Sequence, residues 1–289
     1  MPSLSYAAPK TVQEAVSLLA GATGTARVLS GGTDLLVQYR TGRMRPDLIV
    51  DTKQIPGIIG ITEKDGAFTI GAATCGFEIG EHAGLKKAWP GVVEAANLIG
   101  SKQVQGRASL AGNLCNASPA ADSVPALIAA GATVDIAGPN GTRSAAVESI
   151  VTGPGRTSLA KGEFITAFHL PKQAPRTGDA YLRFIPRTEM DIAVVGVGVC
   201  LSLNADDTIA AARVALGAVA PTQLLVDDAA KAIIGTRLDD AAMAKLAAAA
   251  SAACKPINDK RGTIEFRIKI AGVLARRTAA IAYERAKGR

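Results

Sequence analysis

The sequence predicts an α+β fold: a small N-terminal α/β unit joined to a larger α+β unit, then a C-terminal domain of antiparallel sheet and helices. Short buried strands alternate with helical stretches until about residue 57, where hairpin patterns take over. After Pro175, long apolar strand-like runs precede helical stretches, the order expected of a separate α+β domain. A 48% hydrophobic content over 289 residues is enough to fill more than one core. The expected units are 1–56, 57–175 and 176–289.

Thr11-Val-Gln-Glu14 reads as a capping box, with Thr11 accepting from the Glu14 amide and Glu14 reaching back. A helix from Val12 to the glycines at 21–24 follows, then ARVLS as a buried strand, SGGTDLL as a glycine turn opening a helix, and DLIVD as a strand. In the second unit, IIGIT and FTIGA flank Lys64-Asp65-Gly66, a hairpin signal because glycine supplies positive φ. Helices are expected at 78–83, 91–99 and 123–130, a second hairpin across Pro139-Asn140-Gly141, and a final strand at FITAFHLP. In the third unit YLRFI, AVVGVGVCLSL and TIAAARVALGAV read as strands, and 226–234, 239–253 and 264–289 as helices.

No apolar run approaches the roughly 20 residues of a membrane-spanning helix. The segment MPSLSYAAPKTVQEA has no basic stretch followed by an apolar one, so a cytoplasmic protein is expected. The formal charge of +7 is dispersed, without an aromatic-rich basic stripe; it suits a solvated surface, an acidic partner subunit or an anionic cofactor better than a nucleic acid. Cys75, Cys115, Cys200 and Cys254 lack Cys-x-x-Cys spacing and are expected as buried free thiols rather than metal ligands. His82 and His169, the two histidines, leave little room for triads, and His169 reads as a structural residue of a half-buried strand. Tyr181 and Phe184 read as packing residues. No nucleophile elbow, zinc helix or Lys-bearing phosphate loop is present, so no catalytic side chain is expected.

Two segments point to a ligand. Ser30-Gly31-Gly32-Thr33-Asp34 lies between a strand and a helix, where glycines let successive amides face an anion such as a pyrophosphate. The same pattern also serves an ordinary turn. Ser109-Leu110-Ala111-Gly112-Asn113 is a second small-residue loop, followed by ASPAAD, and two such loops can clamp one dinucleotide. Asp122 fits a helix N-cap, a ligand to a ribose or ribityl hydroxyl, or both.

VLSGGTDL, SLAGNLCNASPAAD, RTEMDIAVVGVGV and KPINDKRGTIEFRIKIAGVLARR, in this order and nearly end to end, resemble the FAD-binding medium subunit of the xanthine dehydrogenase and carbon monoxide dehydrogenase family of molybdenum hydroxylases. The resemblance implies that Val28, Leu29, Ser30, Gly31, Gly32, Thr33, Asp34 and Leu35, with Ser109, Leu110, Ala111, Gly112 and Asn113, hold the FAD pyrophosphate. It places Asp122 at the family's flavin-binding aspartate and Ile99 and Ile165 at apolar flavin contacts. Arg183, Asp191 and Ile192 match the stretch that reaches the cofactor from the third domain. Ala111 stands where the family usually has Gly, and Ser30 where many members have Ala. The cysteine-rich insertion of the benzoyl-CoA branch is missing, which speaks against that branch.

The implied function is electron transfer from [2Fe-2S] clusters on a small partner subunit, through FAD on this chain, to a terminal acceptor. Substrate oxidation would occur at a molybdenum cofactor on a large subunit, in a dimer of heterotrimers. Two other readings stand beside it. A self-sufficient flavin oxidoreductase would need its own acid or base beside a substrate pocket, and a basic interaction module would bind without flavin.

Overall fold

The computed structural model describes residues 4–289; the first three residues of the N-terminal segment and of the first expected unit lie outside the described residues. The first strand, β1 (Ser5–Ala7), leads to helix α1 (Val12–Gly21). Thr11 caps α1 by accepting from the Glu14 amide at 3.1 Å. Glu14 reaches back one residue further than expected, accepting from the Lys10 amide at 2.9 Å. Strand β2 (Ala26–Leu29), helix α2 (Leu35–Arg40) and strand β3 (Leu48–Asp51) complete a three-stranded parallel sheet in the order β1-β3-β2.

The second region opens with β4 (Ile61–Lys64) and β5 (Ala67–Gly71). Asp65 and Gly66 between them have φ of 53° and 83°, the two positive values of a type I′ hairpin turn. A run of short helices follows: α3 (Gly76–Glu81), α4 (Ala83–Ala88), α5 (Pro90–Ala96), α6 (Lys102–Gln105), α7 (Leu110–Cys115) and α8 (Ser123–Ala129). Strands β6 (Thr133–Gly138), β7 (Gly141–Ala146), β8 (Val151–Gly153), β9 (Arg156–Thr157) and β10 (Phe164–Leu170) close the region. β10 inserts between β5 and β6, giving an antiparallel five-stranded sheet in the order β4-β5-β10-β6-β7. One apolar cluster runs continuously from Ala15, Leu19 and Val50 into Ile70, Leu127 and Phe168, so the first two regions share a core.

The third region is an antiparallel sheet of β11 (Thr177–Phe184), β12 (Val195–Leu203), β13 (Ile209–Gly217) and β14 (Leu224–Leu225), followed by α9 (Asp227–Lys231), α10 (Asp240–Ala253) and α11 (Ile264–Lys287). α11 packs along β11 and β12 and forms a second core with Val197, Val199 and Leu216. α8 lies against β12 and β13. Its close approach depends on glycine: a Cβ at Gly198 would sit 2.6 Å from the Pro125 carbonyl oxygen.

A second joint carries charge. Asp179 on β11 accepts from the Gly91 amide at 2.8 Å and the Val92 amide at 3.3 Å, at the start of α5. Burial pushes its pKa up to about 7, opposed by Arg289, the Gly91 amide and Arg285. Arg285 also donates to the Asp179 carbonyl at 2.8 Å and pairs with Glu94 on α5. The C-terminal helix is thereby tied to the middle region through β11.

The side chains read as structural behave so. His169 sits between Thr69 (3.1 Å) and Asp135 (2.8 Å), and Phe184 meets Phe266 edge-on at 5.6 Å. Tyr181 is buried in the shared core. Of the four free cysteines only Cys254 is buried; Cys75, Cys115 and Cys200 are half-buried, with Cys115 and Cys200 packed against the shared core. No helix among the described residues is long and apolar enough to cross a membrane.

Candidate functional site

The strand β2 delivers Val28 and Leu29 to the first glycine turn, and the chain then doubles back against the segment leading into α7. Gly31 makes that contact possible: a Cβ there would lie 1.9 Å from the Arg107 carbonyl oxygen and 3.0 Å from the Ala108 Cα. Gly32 has φ of +79°, a conformation that L side chains rarely adopt. Side chains join the same two segments. The Ser30 and Ser109 hydroxyls are 2.7 Å apart, and Ser30 Oγ is 3.3 Å from the Ala72 carbonyl oxygen.

The second segment is the start of a helix, not the loop the sequence suggested. Ser109 is the N-cap of α7, with Oγ accepting from the Gly112 amide at 3.2 Å, while Leu110 and Leu114, one turn apart, bury their side chains. Among the described residues, the amides of Gly31, Gly32, Thr33 and Asp34, and that of Ala111, donate to no acceptor within the chain. Donors that close to a cleft, left without partners by the fold, are what an anionic ligand takes.

These segments flank a cleft of about 670 Å³, inside the roughly 300–1,000 Å³ range of small-molecule sites. Val28, Ser30, Gly31, Gly32, Thr33, Asp34 and Leu35 line it from the first loop, and Ser109, Ala111, Gly112 and Asn113 from the second. Ile99 and Ile165 also line it. Ile99 is presented by a turn that Gln105 holds, donating to the Asn97 carbonyl at 2.6 Å and the Ile99 carbonyl at 3.3 Å. Asn113 is fixed by Ser123, whose amide and hydroxyl both donate to its Oδ1.

The remaining candidates lie elsewhere. Leu29 and Leu110 alternate with the cleft residues and point into the core. Asp122 occupies the N-cap position of α8 without a side-chain capping bond. Its carboxylate instead takes the Arg183 guanidinium at 2.9 Å, in a pair with side chains 12% and 5% exposed, and lies 3.5 Å from the Tyr181 hydroxyl. Burial raises its pKa to about 6 even with Arg183 pulling it down. Asp191 is held by Arg261 at 3.0 Å and Arg187 at 3.3 Å, and Ile192 is exposed on the same loop. None of these four side chains lines the cleft.

The sequence did not reveal the wall opposite the glycine loops. Thr157, Lys161, Gly162 and Phe164 line the cleft from the segment entering β10, and Arg27 adds a second cation on β2. A signal existed in the two glycine turns at Gly155 and Gly162, with φ of +67° and +88°, just before a strong strand. Cys115 also borders the cleft; burial pushes its thiol up to about 12, so it brings no negative charge.

Two glycine-tightened segments with free amides, in a cleft lined also by apolar side chains and by the cations Arg27 and Lys161, fit a diphosphate-bearing cofactor. Family comparison decides which. Residues 2–173 match the FAD binding domain in molybdopterin dehydrogenase, and residues 180–282 the CO dehydrogenase flavoprotein C-terminal domain. The chain belongs to this molybdopterin dehydrogenase flavoprotein family. It is 33% identical over 288 residues to the carbon monoxide dehydrogenase medium chain of Afipia carboxidovorans, covering 99% of this chain and 98% of that one. Against the xanthine dehydrogenase FAD-binding subunit of Escherichia coli O157:H7 the identity is 29%, covering 99% and 98%. The carbon monoxide dehydrogenase structure from Hydrogenophaga pseudoflava superposes with a TM-score of 0.94 at 31% identity, covering 99% of each chain. The family's α+β architecture and its FAD-binding and C-terminal flavoprotein parts are thus those of this chain.

Proposed function

We infer that this chain is the FAD-binding electron-transfer subunit of a multi-subunit, molybdenum-containing hydroxylase or dehydrogenase. The observation that carries it is the pair of glycine-bearing segments, packed together at Gly31 and joined by the Ser30–Ser109 contact, that line one cleft with unpartnered amides. FAD, when bound, supplies the chemistry of accepting electrons singly and releasing them in pairs.

The chain's own residues bind and orient. Amides of residues 31–34 and of Ala111 would receive the diphosphate, while Arg27 and Lys161 offset its charge. Ile99 and Ile165 supply apolar walls that exclude water from the ring system. Asp122 and Arg183 anchor the third region to α8, and the loop that Arg261 and Arg187 hold at Asp191 leaves Ile192 exposed to meet a partner or the ring edge. The three expected units, 1–56, 57–175 and 176–289, remain our division of the chain.

Partners follow from this reading: a small subunit with [2Fe-2S] clusters, a large molybdenum-binding subunit, a dimer of such heterotrimers, and a cytoplasmic location. Purified with its co-purifying partners, the assembly should yield iron and molybdenum by elemental analysis, and the isolated chain neither. A chain that recruits no metal-bearing partner, or that shows complete dehydrogenase turnover alone, would sink the subunit reading.

A further inference from the structure

Behind the first glycine loop lies a lysine that the cleft itself does not include. Lys53 Nζ donates to Asp51 Oδ1 at 2.7 Å and to the Ser30 carbonyl oxygen at 3.0 Å. Asp51, at the end of β3, is buried, and it takes two more donors: the Lys53 amide at 3.1 Å on Oδ1 and the Tyr6 hydroxyl at 2.8 Å on Oδ2. A lysine ammonium has three protons and carries much rotamer entropy when free. Here Asp51 fixes it in place, and its other bond goes to a backbone carbonyl adjoining the ligand cleft.

The chosen carbonyl matters. In a trans peptide the C=O of one residue and the N–H of the next point in opposite directions from one rigid plane, and the described chain has no cis bonds. Ser30 O faces Lys53, which is outside the cleft; Gly31 N–H therefore faces the other way, towards the cleft that Gly31 lines. A positive charge on the carbonyl also polarises the same amide and makes its N–H a better donor.

The far side of Ser30 is fixed independently. The Ala72 carbonyl can only accept, so the Ser30 hydroxyl proton goes there and the Ser109 proton goes to Ser30. Ser109 Oγ then accepts from Gly112, closing a continuous line of hydrogen bonds from Tyr6 through Asp51, Lys53 and Ser30 to α7.

We propose that Lys53 is a positioning residue for the dinucleotide: it holds the Ser30–Gly31 peptide so that the Gly31 amide is aimed at the pyrophosphate before the ligand arrives. The proposal rests on the FAD reading of the cleft. It assigns Lys53 no contact with the cofactor and no part in electron transfer.

The test compares wild type, Lys53→Met and Lys53→Arg, each as the full chain stripped of flavin and titrated with FAD. Lys53→Met should bind FAD about tenfold more weakly, as expected from one misdirected donor to a charged group. The phosphorus-31 resonances of its bound FAD should shift, and Lys53→Arg should restore most of both. Melting temperatures of the apo forms separate aim from general loosening: a Lys53→Met loss of affinity that merely tracks a fall in melting temperature, with unmoved phosphorus resonances, overturns the proposal. Wild-type affinity in Lys53→Met overturns it too, while leaving the FAD reading intact. Failure of the wild-type chain itself to bind FAD overturns both.

Discussion

A Gly31→Ala chain is expected to lose FAD affinity by at least about 100-fold and to unfold about 1–3 kcal/mol more easily, the cost of forcing an extra carbon into a closed contact. The added Cβ would run into the Arg107–Ala108 backbone, with Arg107 O at 1.9 Å, Arg107 C at 2.7 Å and Ala108 Cα at 3.0 Å. Backbone cannot rotate away as a side chain can, so the two segments must part by an ångström or more. That breaks the 2.7 Å contact between Ser30 and Ser109 and spreads the amides that face the cleft. Gly21→Ala is the matched control, because nothing lies within 4 Å of its Cβ position and its φ is ordinary. FAD titration with parallel melting curves reads both quantities. A Gly31→Ala chain with the control's affinity would show that the two segments do not form one seat.

Arg183→Met should be costlier for the fold than for the cleft. It strands the Asp122 carboxylate beside Tyr181 with no cation, and breaking one partner of a buried pair costs about 3–5 kcal/mol. The deficit depends on pH with a definite sign. Burial already raises Asp122 to about 6, and losing the guanidinium raises it further. A carboxyl whose folded pKa lies above its unfolded value, about 3.9, favours the folded state below that value and is increasingly destabilising as pH rises through the folded one. The gap to wild type in urea unfolding should therefore be wider at pH 8 than at pH 5, and Asp122→Asn with Arg183→Met should recover much of it. An equal gap at both pH values would contradict the account of this pair.

Most of the architecture was legible because apolar period and glycine punctuation are local signals. The Asp65-Gly66 turn shows how far this goes, since both positive φ values belong to the predicted hairpin. What escaped was short or was held from a distance. β1 and β14 are three and two residues long and exist because β3 and β13 pair with them. α7 hid because Ser109, Gly112 and Asn113 look like loop residues, while its helical logic lies in one cap and the Leu110–Leu114 spacing.

The site divides in the same way. Both glycine-bearing walls were readable, as each is a continuous stretch with a backbone reason for its residues. The wall from Thr157 to Phe164 joins the cleft only through the insertion of β10 between β5 and β6, a register that no local pattern encodes. Asp122 and Arg183 were each singled out, yet as separate cofactor contacts. Their union across 61 positions follows from α8 lying against the sheet that β11 begins.

The central claim is that this chain by itself seats FAD, and the visible absorption spectrum of the isolated chain, with the mass of the cofactor released on denaturation, tests it most directly. A flavin spectrum with one released FAD per chain is the predicted result. A folded chain that carries no flavin and fails to bind added FAD would contradict it.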